Sequence, residues 1–412
     1  MRKKGIVIYV ILFFVICLLP KIGANDVLIT ADSRIRNTVF QTSPVGNVTT
    51  GTDGWLYYKD SLDDYTGTGP LTDRQMFDHA HTMAMFQNFC QLLGSRFLYV
   101  CAPNKNTVVP EHMPAYARKS QEDSNWVRLH EFLDQEGVSY LDLAEGLKGL
   151  KSQAEGMEIY MKRDSHWSNE GAAYAADAIL SRLEVPHTDM TDHKMTVRKD
   201  FTGDLAKMVY PAHPGTENQV YYEDMPEFEL LSEAKTDDYF DPVVRTAGSG
   251  DENAVVYRDS FANSLVPFMA GAFSEALFTR GRPYDISEVL NEAASVVIVE
   301  RAERFLPDDV GEPPLMSALP SAVSTNQLRE ADIAVSGKLS DYNPGLVEFT
   351  GSLPENEIQT NTRIFVDTGD GNLYEAMPVN TDGQEGFVMY LSADNAAPED
   401  AAGFKVLIGE NL

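Results

Sequence analysis

Two short strings in this chain hold the residue types of a serine nucleophile site: Arg163-Asp164-Ser165-His166-Trp167-Ser168 and, further on, Tyr257-Arg258-Asp259-Ser260-Phe261. A serine hydroxyl attacks poorly at neutral pH. It needs an imidazole to take its proton and a carboxylate to hold that imidazole in the right tautomer. Residues two apart in an extended segment point to the same side, so Asp164 and His166 can lie together, with Ser260 as the nucleophile they serve. Asp-Ser-His is also a common turn string, and a purely structural reading stands beside the chemical one.

The elements around these strings say how they would be held. Ser168 is a suitable N-cap, and Ala172, Ala173, Ala176, Ile179, Leu180 and Leu183 form an apolar stripe at helical spacing. His166 is therefore predicted on a loop braced by a docked helix over 169–183. Helical periodicity also covers 72–93 and 121–136. Arg96 to Ala102, Val138 to Leu143, Ala254 to Tyr257 and Ser295 to Val299 read as strands. Strands alternating with helices predict an α/β fold, a parallel sheet with helices on both faces. This body begins at Gly51-Thr52-Asp53-Gly54-Trp55 and is expected to span 51–310.

After Pro313-Pro314 the pattern changes. A linker is expected over 311–327, followed over 328–412 by short strands separated by Gly, Asp and Asn turns, the pattern of a small all-β sandwich of roughly immunoglobulin-like size. Asp367-Thr368-Gly369-Asp370-Gly371-Asn372 puts glycines where a calcium loop needs oxygen ligands, so it reads as a hairpin turn.

At the other end, Arg2-Lys3-Lys4 precedes an apolar run from Gly5 to Leu19. That is the form of a signal peptide or an N-terminal membrane anchor, assigned to residues 1–25, and it predicts an extracytoplasmic protein held at the cell surface or, if cleaved, secreted. Residues 26–50 carry no sustained pattern and are expected to be a stalk. The net charge of −29 argues against a nucleic-acid partner, since phosphate contacts need clustered Lys and Arg. Outside the apolar run only Cys90 and Cys101 remain, better read as two buried thiols than as a bridge.

Other residues have two readings each. Asn104 and Lys105 follow a strand end, where open α/β sheets place their sites, and are candidates for contacting substrate. Trp167 is either a ring that stacks on a sugar or a core residue at a helix entrance. Arg280 either reaches the pocket or pairs at the surface, and Glu300 with Arg301 either belongs to the site or is a mutual pair. No histidine set has metal-ligand spacing; His79 and His81 do not share a helix face. No metal is expected.

Taken in order, Gly54-Trp55-Leu56, Ala102-Pro103-Asn104-Lys105, Asp164-Ser165-His166-Trp167, Phe201-Thr202-Gly203-Asp204-Leu205, Asp259-Ser260-Phe261 and Val297-Ile298-Val299-Glu300-Arg301 resemble the SGNH-hydrolase-like proteins of the alginate O-acetylation machinery and their DHHW-type relatives. Ser165 departs from the DHHW pattern, which has histidine there. The resemblance implies a polysaccharide O-acetyltransferase with Ser260 as nucleophile, His166 as base and Asp164 as its orienting carboxylate. It also implies a polysaccharide acceptor, a membrane-bound O-acyltransferase as acetyl supplier, no diffusible cofactor, and a carbohydrate-binding role for the C-terminal sandwich. A deacetylase or esterase with the same triad, and a non-catalytic glycan-binding scaffold, are the alternatives. The oxyanion hole has no assignment beyond the Ser260 N–H.

Overall fold

The computed structural model describes residues 25–150, 152–190, 193–232, 239–354, 358–381, 383–410 and 412. Its centre is a seven-stranded sheet in the spatial order Tyr140–Asp142, Arg96–Ala102, Val296–Ala302, Ala254–Tyr257, Glu275–Thr279, Val243–Ala247 and Glu229–Leu230. The first five run parallel; Val243–Ala247 is antiparallel to Glu275–Thr279, and Glu229–Leu230 is antiparallel to Val243–Ala247 in turn. Side chains alternate across each strand. Leu98, Val100, Val256 and Ile298 enter one apolar layer, beneath the helix Asn169–Arg182, while Phe97, Tyr99, Val255 and Val297 enter the other, beneath the helices Asp73–Leu92 and Asn125–Gln135.

These helices start where the sequence tells them to. Thr72 accepts a hydrogen bond from the Gln75 N–H, and the Gln75 side chain returns to the Thr72 N–H, a capping box ahead of Asp73–Leu92. Ser168 caps Asn169–Arg182 by accepting from the Gly171 N–H. Burial of the Ala172, Ala176 and Ile179 stripe then fixes that helix on the sheet.

The C-terminal region is one curled antiparallel sheet of seven strands. Its turning point is Leu373–Thr381. The first half of this strand pairs with Arg363–Asp367 and the second half with Gln384–Ser392, so the two layers of the expected sandwich share a strand. Residues 368–372 are the turn between Arg363–Asp367 and Leu373–Thr381. Met377, Val388 and Tyr390 pack into the apolar layer under Asp73–Leu92, and His81 of that helix bonds both Glu136 (2.7 Å) and Glu375 (3.0 Å).

Two stretches differ from their sequence reading. The expected stalk contains the helix Asn25–Phe40 and the strand Val48–Thr50, tied down by the Ala212 N–H to Thr30 Oγ1 (3.0 Å) and by Thr50 Oγ1 to Asn37 (2.6 Å). The polar buried face explains why no apolar period announces it. The expected linker is seated too: Leu315 and Met316 are buried, and Ala318 N–H bonds the Tyr390 carbonyl. Among the described residues no helix is long and apolar enough to cross a membrane; the run from Gly5 to Leu19, read as signal or anchor, lies outside them. Cys90 and Cys101 are buried free thiols.

Candidate active site

The strand Ala254–Tyr257 ends beneath the carboxyl edge of the sheet, where ligand crevices of open α/β sheets form. The chain turns at Arg258-Asp259-Ser260 into a single helical turn, Phe261–Ser264. Carboxylates hold this turn by its main-chain N–H groups. Asp259 accepts from the N–H of Phe261 with one oxygen and from that of Ala302 with the other, both at 2.8 Å, while its own N–H donates to Glu300 at 3.1 Å. Glu300 is wholly buried, and burial, reinforced by the Asp259 charge, pushes its carboxyl well above the usual range, which favours the neutral acid. Ser260 is left half-buried at the rim.

Facing it is the loop 161–168. Asp164 is buried and takes three donors: His166 Nδ1 at 2.7 Å, the His166 N–H at 3.0 Å and the Asp204 N–H at 2.6 Å. His166 Nε2 lies 2.8 Å from Ser260 Oγ. With Nδ1–H donating to Asp164, Nε2 presents its lone pair to the serine hydroxyl. Burial pulls the His166 pKa down, but the hydrogen bond and charge of Asp164, together with the charge of Asp204, outweigh it and leave the pKa raised. Burial likewise works against the Asp164 anion, and the bonds and charge of His166 more than offset it, holding that carboxyl far below the ordinary range.

A groove of about 420 Å³ opens over His166 and Ser260. Phe201, Tyr221, Tyr239 and Phe240 give it aromatic walls, and Lys207, Asn169 and Gln219 supply polar groups. A larger hollow of about 780 Å³ has Glu184, Glu227, Asp251 and Glu252 in its wall, but no serine–histidine hydrogen bond is found there among the described residues.

The structure thus brings Asp164, His166 and Ser260 together and sorts the other candidates. Lys105 does not face the groove. It is only 4 % exposed, and its ammonium donates to the carbonyls of Met161 (3.0 Å), Lys162 (3.3 Å) and Asp164 (2.6 Å), bracing the histidine loop from below. Burial lowers its pKa to about 8. Asn104 is buried as well, its N–H bonded to Glu303 at 2.8 Å, so neither residue of this pair touches the groove as the strand-end argument expected. Trp167 is among the residues lining the groove, but it is only 2 % exposed and packs edge-on against Phe261, with Nε1 bonded to Ser264 Oγ at 3.0 Å, so it is part of the groove's floor rather than an open stacking platform. Arg280 donates to Asn263 Oδ1 at 2.6 Å, one residue removed from the groove wall. Glu300 and Arg301 do not pair: Arg301 bonds Asp309.

Sequence reading missed Asp204 as a site residue and the hairpin Met195–Phe201 with Glu217–Tyr222 that delivers it. Asp204 Oδ1 accepts from the Ser165 N–H at 2.8 Å and Oδ2 from Ser165 Oγ at 2.5 Å, and Oδ2 lies 3.8 Å from His166 Nδ1. A Cβ on Gly203 would stand 2.2 Å from the Arg163 carbonyl oxygen, so only glycine lets the hairpin approach the loop this closely. The Phe201-Thr202-Gly203-Asp204 string was the available signal, and it was read as part of a resemblance without a role.

An open, mainly parallel sheet with helices on both faces and a serine, histidine and aspartate gathered at its carboxyl edge defines an SGNH-hydrolase-like α/β protein. Residues 48–246 match the family described as the SGNH hydrolase-like domain of the acetyltransferase AlgX. The match includes Asp164, His166 and Asp204 and ends before Ser260. Similar solved structures include a DHHW family protein from Eubacterium siraeum (14 % identity, 64 % of this chain and 93 % of that one, TM-score 0.46). The O-acetyltransferase domain of AlgJ from Pseudomonas putida is 18 % identical over 63 % of this chain and 92 % of that one, with TM-score 0.40. AlgX from Pseudomonas aeruginosa is 13 % identical over 92 % of this chain and 96 % of that one, also with TM-score 0.40. No curated protein sequence matches the chain.

Proposed function

We propose that this protein is an extracytoplasmic O-acetyltransferase that moves acetyl groups through an acyl-Ser260 onto hydroxyls of a cell-surface or secreted polysaccharide. The observation that carries this reading is the continuous hydrogen-bonded line from Asp164 through His166 to Ser260 Oγ, opening into an aromatic-walled groove. In the first half, Ser260 Oγ attacks the acetyl carbonyl carbon as its proton passes to His166 Nε2. The donor's oxygen leaves with that proton. In the second half, an acceptor hydroxyl gives its proton to His166 and attacks the acyl-serine, and Ser260 Oγ departs and recovers the proton.

The family match to an acetyltransferase domain supports transfer over simple hydrolysis, and the groove walls suit the apolar faces of sugar rings. The acetyl supplier is a membrane-bound O-acyltransferase, the N-terminal apolar run holds the protein at the membrane surface, and the curled C-terminal sheet grips the glycan. No cofactor enters either half-reaction.

The test uses the purified protein with an activated acetyl ester, with and without oligosaccharide acceptors, beside Ser260→Ala and His166→Ala. Acetylated oligosaccharide made by the native protein and absent with both variants is the expected result. Acetate release indifferent to acceptor would replace transfer by esterase activity, and ester turnover that survives Ser260→Ala would remove the serine mechanism.

A further inference from the structure

A tetrahedral intermediate at the acetyl carbonyl carries an oxyanion that needs more than one donor, and the Ser260 main-chain N–H supplies only one. We propose that the side-chain amide of Asn263 is the second oxyanion donor, and that Arg258 and Arg280 fix its orientation. The inference rests on the acyl-serine reading of the site.

Asn263 sits on the helical turn that Ser260 begins, its own N–H bonded to the Ser260 carbonyl at 3.3 Å, and it lines the same groove as Ser260 and His166. Its Oδ1 accepts from Arg280 Nη2 at 2.6 Å and also from Arg258 Nη1. Guanidinium groups only donate, so the end of the amide that faces the two arginines has to be the oxygen. That leaves the NH₂ end pointing the other way. It has no acceptor among the described residues, and it is not among their sealed, unpartnered atoms, so it is open to a ligand in the groove.

The arginines are themselves fixed. Arg258 is buried and also donates to the carbonyls of Tyr239 (3.0 Å) and Asp241 (2.8 Å), and the Arg280 N–H donates to the Pro242 carbonyl at 2.8 Å. Two cations on the amide oxygen draw electron density from the nitrogen and strengthen its N–H groups as donors toward a developing negative charge. Nothing in this arrangement reorganises during the reaction, which is what makes such a donor effective.

Asn263→Asp separates this role from a structural one. An aspartate still accepts from both arginines, with added charge attraction, so the turn is retained, but it offers the oxyanion a second negative oxygen in place of an N–H. The rate of Ser260 acetylation by an activated ester, followed by mass spectrometry, is expected to fall ~10²- to 10³-fold with little change in KM and no fall in Tm. Arg280→Met leaves Arg258 as the one arginine on the amide oxygen and loosens its hold, and a smaller loss of about tenfold in the same rate is expected, again without a change in KM. Acetylation of Asn263→Asp within about threefold of the native rate would overturn the assignment while the acyl-serine stands. A native protein that never acquires acetyl on Ser260 would overturn the acyl-serine reading itself, and this inference with it.

Discussion

The two sides of the groove over Ser260 and His166 are built from opposite materials. The serine turn is held by carboxylates that accept main-chain N–H groups: Asp259 from Phe261 and Ala302, and Glu300 from Asp259. The histidine loop is held by a buried ammonium that donates to main-chain carbonyls, Lys105 to Met161, Lys162 and Asp164. A buried irregular segment has to have its polar backbone groups satisfied, and which groups it turns inward decides the sign of the residue that satisfies them. The loop turns carbonyls inward and so needs a cation. The Asp164 charge nearby favours the ammonium form of that lysine, whereas burial and the Asp259 charge push Glu300 toward the neutral acid.

The contrast predicts unequal sensitivity. Lys105→Met removes the cation and takes the donor from the carbonyls of Met161 and Asp164, while that of Lys162 keeps the Leu56 N–H, and is expected to cost about 3 kcal/mol of stability. It should also lower kcat/KM ~10²-fold through misplacement of His166, measurable by denaturant titration and ester turnover. Asp259→Asn turns an acceptor into a donor against an N–H and should cost about 1–3 kcal/mol, whereas Glu300→Gln, replacing an acid already neutral, should stay within about 1 kcal/mol of native. Equal losses for this pair would contradict the neutral state of Glu300.

Asp204→Asn is the subtlest change and reads out on the pH axis. His166 accepts a proton only when neutral, so activity falls as pH drops through its pKa, and the raised pKa places that fall above the ordinary histidine range. Removing the Asp204 charge lowers the His166 pKa, and the acid limb of kcat/KM should move to lower pH. A limb that stays in place would assign the raised pKa to Asp164 alone.

The Asp164, His166 and Ser260 grouping was legible because each sits in a local string whose chemistry is recognisable without its surroundings. The strands Arg96–Ala102 and Ala254–Tyr257 were legible because central parallel strands are continuous apolar runs. The roles of Lys105, Asn104 and Arg280 were not. Each lies at or near a strand end close to the site, and only the tertiary arrangement decides whether such a side chain turns into the groove or under it. Lys105 turns under, drawn by carbonyls that lie dozens of residues away in sequence. The helix Asn25–Phe40 escaped notice because the residues it buries, Thr30 and Ser33, are polar. Asp204 escaped because its contribution is made across the Gly203 contact with Arg163, which no periodicity encodes.

The hairpin that ends in Phe201 and returns through Gln219 and Tyr221 furnishes part of the groove wall, and the same few residues of chain carry Gly203 and Asp204 to the histidine loop. The shape of the groove and the proton affinity of His166 are therefore inherited as one cassette. A lineage, or a designer, that exchanges this hairpin to reshape the groove also resets the pH at which His166 gives up its proton.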